Sequence, residues 1–174
     1  AGSDIAFLGG LINYALSNDR FHQEYVAQHT NAAFVIGDGF GFEDGHFSGW
    51  DAERGAYDKS TWSYELDGRG HARVDPTLQH PRCVFQLMAR HYERYTPDVV
   101  ASISGCSAEA FERAAEVITS SGRAGRSGTV LYALGWTQHS HSVQLIHCAA
   151  MLQLLLGNIG MPGGGVNAQR GHSN

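Results

Sequence analysis

The residue types best suited to chemistry gather at the end of this 174-residue chain. From Ser127 to Gln169, 43 consecutive residues include no Asp, Glu, Lys or Arg, although charged residues make up 17% of the sequence and an even scatter would place about seven there. The window closes at Arg170. With no carboxylate nearby in sequence to neutralise it, this guanidinium is a good receptor for a small anion or a phosphate, because its planar fork matches their oxygen geometry. The tail around it, Gly163-Gly164-Gly165-Val166-Asn167-Ala168-Gln169-Arg170-Gly171-His172-Ser173-Asn174, joins small residues that permit close backbone approach to a succession of polar donors. Such a segment suits a large polar ligand plus a small anion. A flexible terminus made of common loop residues is the plainer alternative.

Other constellations are weaker. Gly37-Asp38-Gly39-Phe40-Gly41 imitates a phosphate loop, but bulky and acidic residues follow it and no helical pattern does. Asp38, Glu43, Asp44 and Asp51 miss the spacing of a calcium loop and read as a solvated acidic stretch. His139, His141 and His147 have no Cys or carboxylate beside them to complete a metal set, and read as histidines making hydrogen bonds. No serine sits in a nucleophile elbow. Cys83, Cys106 and Cys148 lie far apart, with neither zinc spacing nor an even count, and are most simply three buried thiols.

The elements that must position the tail follow from periodicity. Ser3 stands where it would cap a helix over Asp4–Ser17, with Ile5, Leu8, Ile12, Ala15 and Leu16 on one face. A short helix over Phe21–His29 and an apolar strand over Ala33–Ile36 come next. Regularity fails at about residues 37–82, which read as an irregular insert with a hairpin around Trp62–Gly68 and with Trp50, Tyr57, Trp62 and Tyr64 pinning it down. Helical spacing returns over Cys83–Tyr95 and after Thr96-Pro97, and Ser107 caps a helix to Ser121 that turns Ala110, Phe111, Ala114, Ala115 and Ile118 inward. Thr129–Leu134 is a compact apolar strand broken by Gly135, and Ser142–Leu156 a helix apolar on nearly every side. This rhythm predicts an α/β sandwich with a parallel sheet, whose ligands sit beyond the carboxyl ends of its strands, here at Gly135-Trp136-Thr137-Gln138-His139.

Composition narrows the class. A net charge of −5 argues against nucleic acid as the main partner. Leu145–Leu156, the most apolar stretch, falls short of the roughly 20 residues of a membrane span. No basic, signal-like region opens the chain, and its start at Ala1 reads as that of a processed or excised piece.

Leu131-Tyr132-Ala133-Leu134-Gly135-Trp136-Thr137-Gln138-His139, Gly157-Asn158-Ile159-Gly160 and the whole tail from Gly163 to Asn174 closely resemble the large subunit of molybdopterin-dependent formate dehydrogenases. Gly2-Ser3-Asp4 and Tyr95-Thr96-Pro97 extend the resemblance across essentially the whole chain. The stretch from Phe42 to Trp62, with Leu78-Gln79-His80-Pro81-Arg82-Cys83, is similar to the respiratory, membrane-linked branch. The resemblance implies a piece of a larger catalytic subunit that oxidises formate at molybdenum or tungsten held by bis-molybdopterin guanine dinucleotide, and this piece would be the latter half of one α/β cofactor domain. It places Gly2, Ser3 and Asp4 at the nucleotide end of one cofactor half. It sets Leu134, Gly135, Trp136, Thr137 and Gln138 along a pterin, and Arg170 beside formate. Gly171 and Asn174 join the cofactor-binding set, and His172 the catalytic one near the metal centre. The family's metal-ligating selenocysteine or cysteine and its [4Fe-4S] cysteines match nothing in this chain. The chain alone is therefore expected to be inactive and to self-associate through the Ser142–Leu156 helix. Iron–sulfur and membrane cytochrome subunits and a periplasmic site, with the cytoplasm as alternative, are further implications. Two other readings stay open: a non-catalytic α/β module binding a guanine nucleotide or similar anion, and a structural piece with no ligand. Another molybdopterin oxidoreductase is the alternative within the enzyme class.

Overall fold

The computed structural model describes residues 2–43 and 45–169, with only the backbone of Glu43. In chain order the elements begin with α1 (Asp4–Ser17), α2 (Gln23–His29), β1 (Phe42–Glu43), β2 (His46–Phe47), β3 (Trp50–Asp51) and β4 (Ala56–Tyr57). They continue with α3 (Val84–Tyr92), α4 (Pro97–Ser104), α5 (Ala108–Thr119), β5 (Thr129–Tyr132), α6 (Leu134–Thr137), α7 (Ser142–Leu155) and β6 (Gly165–Ala168). The chain forms two compact units, Ala27–Met88 and the remainder, Ala1–Val26 with Ala89–Asn174.

The larger unit is a helical layer on a short parallel pair. α7 packs chiefly against α1, which also meets α4 and α5. Leu145, Ala149 and Leu152 of α7 are buried together with Leu8, Leu11 and Ile12 of α1, and each large side chain removed from water contributes about 1.5–3 kcal/mol. Gly9 and Gly10 interrupt a good helical pattern for a packing reason. A Cβ on Gly10 would lie 2.5 Å from Val100 Cγ2 and 2.8 Å from Phe111 Cζ, and one on Gly9 would lie 2.8 Å from the Tyr95 ring. Thr96 and Ser107 cap α4 and α5, accepting from Val99 N (3.3 Å) and Ala110 N (3.1 Å). Ser3 precedes α1 but makes no capping bond. Its backbone is already helical (φ −91°, ψ −2°), whereas a capping side chain reaches back from an extended backbone.

β5 and β6 pair in parallel, Thr129 opposite Gly165 and Tyr132 opposite Ala168, with α7 as the crossover. The fold is thus mixed α/β, and its parallel sheet has two strands among the described residues. β5 ends at Tyr132, earlier than its apolar run, because Leu134–Thr137 coil into a helical turn. Phe111 and Ala115 of α5 are buried, but Ile118 is 37% exposed.

The Ala27–Met88 unit is built on different principles. Ala33–Ile36 is not a ladder; Phe34, Val35 and Ile36 form single antiparallel bridges to Val74, Cys83 and Tyr64. The expected hairpin at Trp62–Gly68 is likewise replaced by bridges, including Leu66 with Ala72. Two tiny antiparallel pairs, β1–β2 and β3–β4, carry rings that make a core of their own. Trp62 meets Phe47 at 5.1 Å and Tyr57 at 5.4 Å, Trp50 meets Tyr57 at 4.9 Å, and the Trp62 indole donates to Ser48 O at 2.9 Å. The Asp75 carboxylate organises the turn before α3, accepting from Thr77 Oγ1 and His80 N, both at 2.6 Å, and from Gln79 N at 2.9 Å. The Thr77 hydroxyl bond and then the His80 amide hold its pKa down to about 2.

Cys83 and Cys148 are buried and burial pushes both thiols up, so they are not nucleophiles. Cys106 departs from the expectation of three buried thiols: it is half-buried, its sulfur 2.9 Å from Ser104 Oγ.

Candidate functional site

A cleft of about 570 Å³ opens within the larger unit, beside the first half of α1. One wall is the start of α1, where Ser3 and Asp4 lead into Phe7, Leu8 and Leu11. Across from it lie Val117 and Ile118 of α5, and the floor is formed by Gly128–Val130 and by Leu152 and Gln153 of α7. Trp136 closes the rim, its ring stacked on Tyr132 (5.8 Å between centroids, 21° between planes).

Among the described residues, Asp4 is the only charged one lining the cleft, and no cation or hydrogen-bond donor meets its carboxylate. Its carboxylate sits in the first turn of α1, where the positive end of the helix dipole favours negative charge, and it offers only acceptor oxygens. It therefore repels phosphate and attracts N–H donors. Deeper in, Gln153 Oε1 is buried without a partner among the described residues, on a side chain only 2% exposed. Such an acceptor costs about 1–3 kcal/mol unless a donor reaches it. The nearby polar residue Asn158 is fully satisfied. It accepts from Gly128 N and donates to Ser121 Oγ, both at 3.0 Å, and so ties the turn after α7 to the entry of β5.

Of the residues singled out from sequence, the cleft brings together Ser3, Asp4 and Trp136. Gly2 adjoins them with φ +89°, in the left-handed region. Leu134, Gly135 and Thr137 stand exposed on α6, and Gln138 just after it, none of them lining the cleft. Arg170, Gly171, His172 and Asn174 lie outside the described residues. His139 and His141 occupy the turn before α7, with rings 5.5 Å apart, and His147 is exposed on that helix. No group of three or more metal-ligating side chains occurs among the described residues. Gln153 was not anticipated; a single amide in an apolar helix reads as an interruption of hydropathy, and only the packing shows that it is buried beside a void.

Comparison with known proteins decides the kinship. No family model matches the chain. It is 54% identical over all 174 residues to the formate dehydrogenase-O major subunit of Escherichia coli K12 and 53% to the nitrate-inducible formate dehydrogenase major subunit of the same organism. The chain is homologous to a segment of formate dehydrogenase major subunits. Over the same 174 residues it is 50% identical to the formate dehydrogenase 2 subunit alpha (cytochrome c-553) of Nitratidesulfovibrio vulgaris. In all three cases the whole chain is covered and spans 17% of the relative's length.

Such homologues imply a molybdenum or tungsten pterin cofactor, and the rim of the cleft is chemically compatible with its organic part. A guanine edge presents N–H donors to an acceptor such as Asp4, and the Trp136 face offers a flat surface for stacking. Among the described residues the metal finds no ligand set.

No helix among the described residues is long and apolar enough to cross a membrane.

Proposed function

We propose that this chain is a segment of a formate dehydrogenase catalytic subunit, the latter half of one α/β cofactor domain, which holds part of a bis-molybdopterin guanine dinucleotide and supplies the arginine that binds formate. The observation that carries the reading is the 54% identity over the entire chain to a formate dehydrogenase major subunit. When bound, the molybdenum or tungsten cofactor supplies the redox chemistry, accepting two electrons as formate becomes carbon dioxide and a proton.

The chain's residues bind and orient. Asp4, with Gly2 and Ser3, receives the N–H edge of the nucleotide end, and Leu134–Gln138 border a pterin, with Trp136 as the flat contact. Arg170 grips both oxygens of formate through its guanidinium fork, which leaves the C–H bond directed away from the arginine. Carbon dioxide carries no charge, so the same fork loses its hold once the reaction is over. Gly171 and Asn174 flank the cofactor, and His172 lies beside the reacting centre. The [4Fe-4S] cluster belongs to the remainder of the subunit, and iron–sulfur and membrane cytochrome subunits, in a periplasmic complex, complete the electron path.

The test is made on the full-length subunit that contains this segment. Asp4→Ala is expected to lower retained guanine nucleotide and metal about tenfold after gel filtration, since a hydrogen bond to a charged group contributes about 1.5–3 kcal/mol. Full retention would remove Asp4 from the cofactor site, and a wild-type subunit that ignores formate would remove the substrate.

A further inference from the structure

The Ala27–Met88 unit carries a feature that cofactor binding leaves unused. Its two tiny hairpins, β1–β2 and β3–β4, form a knob with aromatic rings at the surface and carboxylates around them. We propose that this knob is the docking surface for a separate partner polypeptide, one that offers an apolar pocket rimmed by Lys and Arg. The inference rests on the proposed reading that the subunit works within a multi-subunit complex, and adds where on this chain a partner is held and by what chemistry.

The anchors are rigid before any partner arrives. The Phe47 ring lies 4.9 Å from that of Phe42, 5.1 Å from Trp62 and 5.7 Å from Phe40, yet Phe47 is 41% exposed. Trp50, 42% exposed, meets Tyr57 at 4.9 Å and stacks on His46 at 5.5 Å. The joint between the hairpins is equally fixed. Asp58 N donates to Gly49 O at 2.8 Å, and a Cβ on Gly49, whose φ is +83°, would collide with Asp58 O. Exposed rings already immobilised by their neighbours lose little side-chain entropy on binding, and tryptophan is among the residues on which interface energy concentrates.

Charge selects the partner. From Phe42 to Lys59 the sequence has five carboxylates, Glu43, Asp44, Asp51, Glu53 and Asp58, against Arg54 and Lys59. Both cations are engaged locally, Arg54 with Asp51 at 3.5 Å and Lys59 over the Trp62 ring at 5.3 Å. The carboxylates do not build a cation site. Asp51 Oδ1 accepts from the Glu53 and Arg54 amides and Asp58 Oδ1 from that of Ser60, and no group of three metal-ligating side chains occurs among the described residues. Glu53 and Asp58 stand exposed, so the surplus negative charge forms a collar beside apolar rings, the centre-and-rim arrangement of a protein–protein interface. Such a collar repels nucleic acid and anionic lipid, and it repels a second copy of the same knob. A basic partner is the occupant it fits.

The first test uses the assembled complex, purified with the full-length major subunit carrying photoreactive benzoylphenylalanine in place of Phe47. An adduct with a peptide of another subunit, with Lys or Arg beside the attachment point, is expected. An adduct within the major subunit or with a second copy of it, or no adduct at all, would overturn the proposal. The second test neutralises the collar by Asp51→Asn, Glu53→Gln and Asp58→Asn, which keep an acceptor oxygen for each turn amide. This variant should re-associate with the subunit identified by the adduct at least about tenfold more slowly than wild type at low ionic strength, with the difference closing at high salt. An unchanged rate would equally overturn the proposal. Neither readout involves turnover, so failure of the formate assignment and failure of this proposal are separable.

Discussion

In the Ala27–Met88 unit the strands are two residues long, yet even its more exposed rings, Phe47 and Trp50 at 41% and 42%, have ring partners. In the helical unit the elements are long and α4 and α5 are capped, yet Val117 and Leu131 stand open at 72% and 58%. The first unit assembles its core from neighbours in sequence, by clustering aromatics around turns. The second assembles its core from elements distant in sequence and leaves apolar side chains of α5 and β5 open. Local regularity and completeness of a core are therefore separate properties, and the better-formed helices belong to the less complete unit.

Core truncation should separate the units most strongly. Phe111 is 1% exposed against Gly10 of α1, with its ring edge-on to Phe7 at 5.3 Å. Phe111→Ala should cost about 3–5 kcal/mol in the full-length subunit, read as loss of exchange protection throughout α1, α4 and α5. Trp62→Ala removes several ring pairs of about 0.5–1.5 kcal/mol each, and its effect should remain within residues 27–88. A loss that spread equally through both sets of amides would break the distinction.

Asn158→Ala comes next. It strips the half-buried Gly128 amide of its acceptor and removes the donor to Ser121 Oγ, which keeps its own bond to Ile118 O, at about 1–3 kcal/mol, and the midpoint of denaturant unfolding measures it. Unchanged stability would mean that water replaces the amide.

Capping gives a smaller, paired comparison. Thr96→Ala should destabilise by about 1 kcal/mol, and Ser3→Ala should be near neutral because Ser3 makes no capping bond. Equal effects would show that Ser3 caps α1 in solution.

The least costly change is in pH. Hydrogen bonding depresses the Asp75 pKa to about 2 from an ordinary value of 3.8, so its contribution is present in full above about pH 4 and is lost as pH falls through about 2. Asp75→Asn should flatten that part of the acid-unfolding profile of the 27–88 unit. An unaltered profile would assign the acid sensitivity to other groups.

How much of this was readable beforehand follows the same division. Thr96-Pro97 and Ser107 are local helix-start signals, and both cap helices where the pattern put them. The 14-residue α1 begins and ends at the expected residues. Strand assignments fared worse because a strand exists only through its partners. Ala33–Ile36 has β-like composition but bonds to three different segments and forms no ladder. The rim residues Ser3, Asp4 and Trp136 came from a motif resemblance, since no periodicity links positions so far apart in sequence. Gln153 and the exposed Val117 depend on which neighbours surround them in space, a property no window of sequence contains.

The central claim, that this segment serves formate oxidation through Arg170, is tested most directly by formate-dependent dye reduction with the full-length subunit, comparing wild type with Arg170→Ala at equal metal and pterin content. The account predicts formate turnover by the wild type and a loss of more than about a hundredfold in kcat/KM for the variant, equivalent to roughly 2.7 kcal/mol of transition-state stabilisation. Turnover by Arg170→Ala within a fewfold of wild type would contradict it.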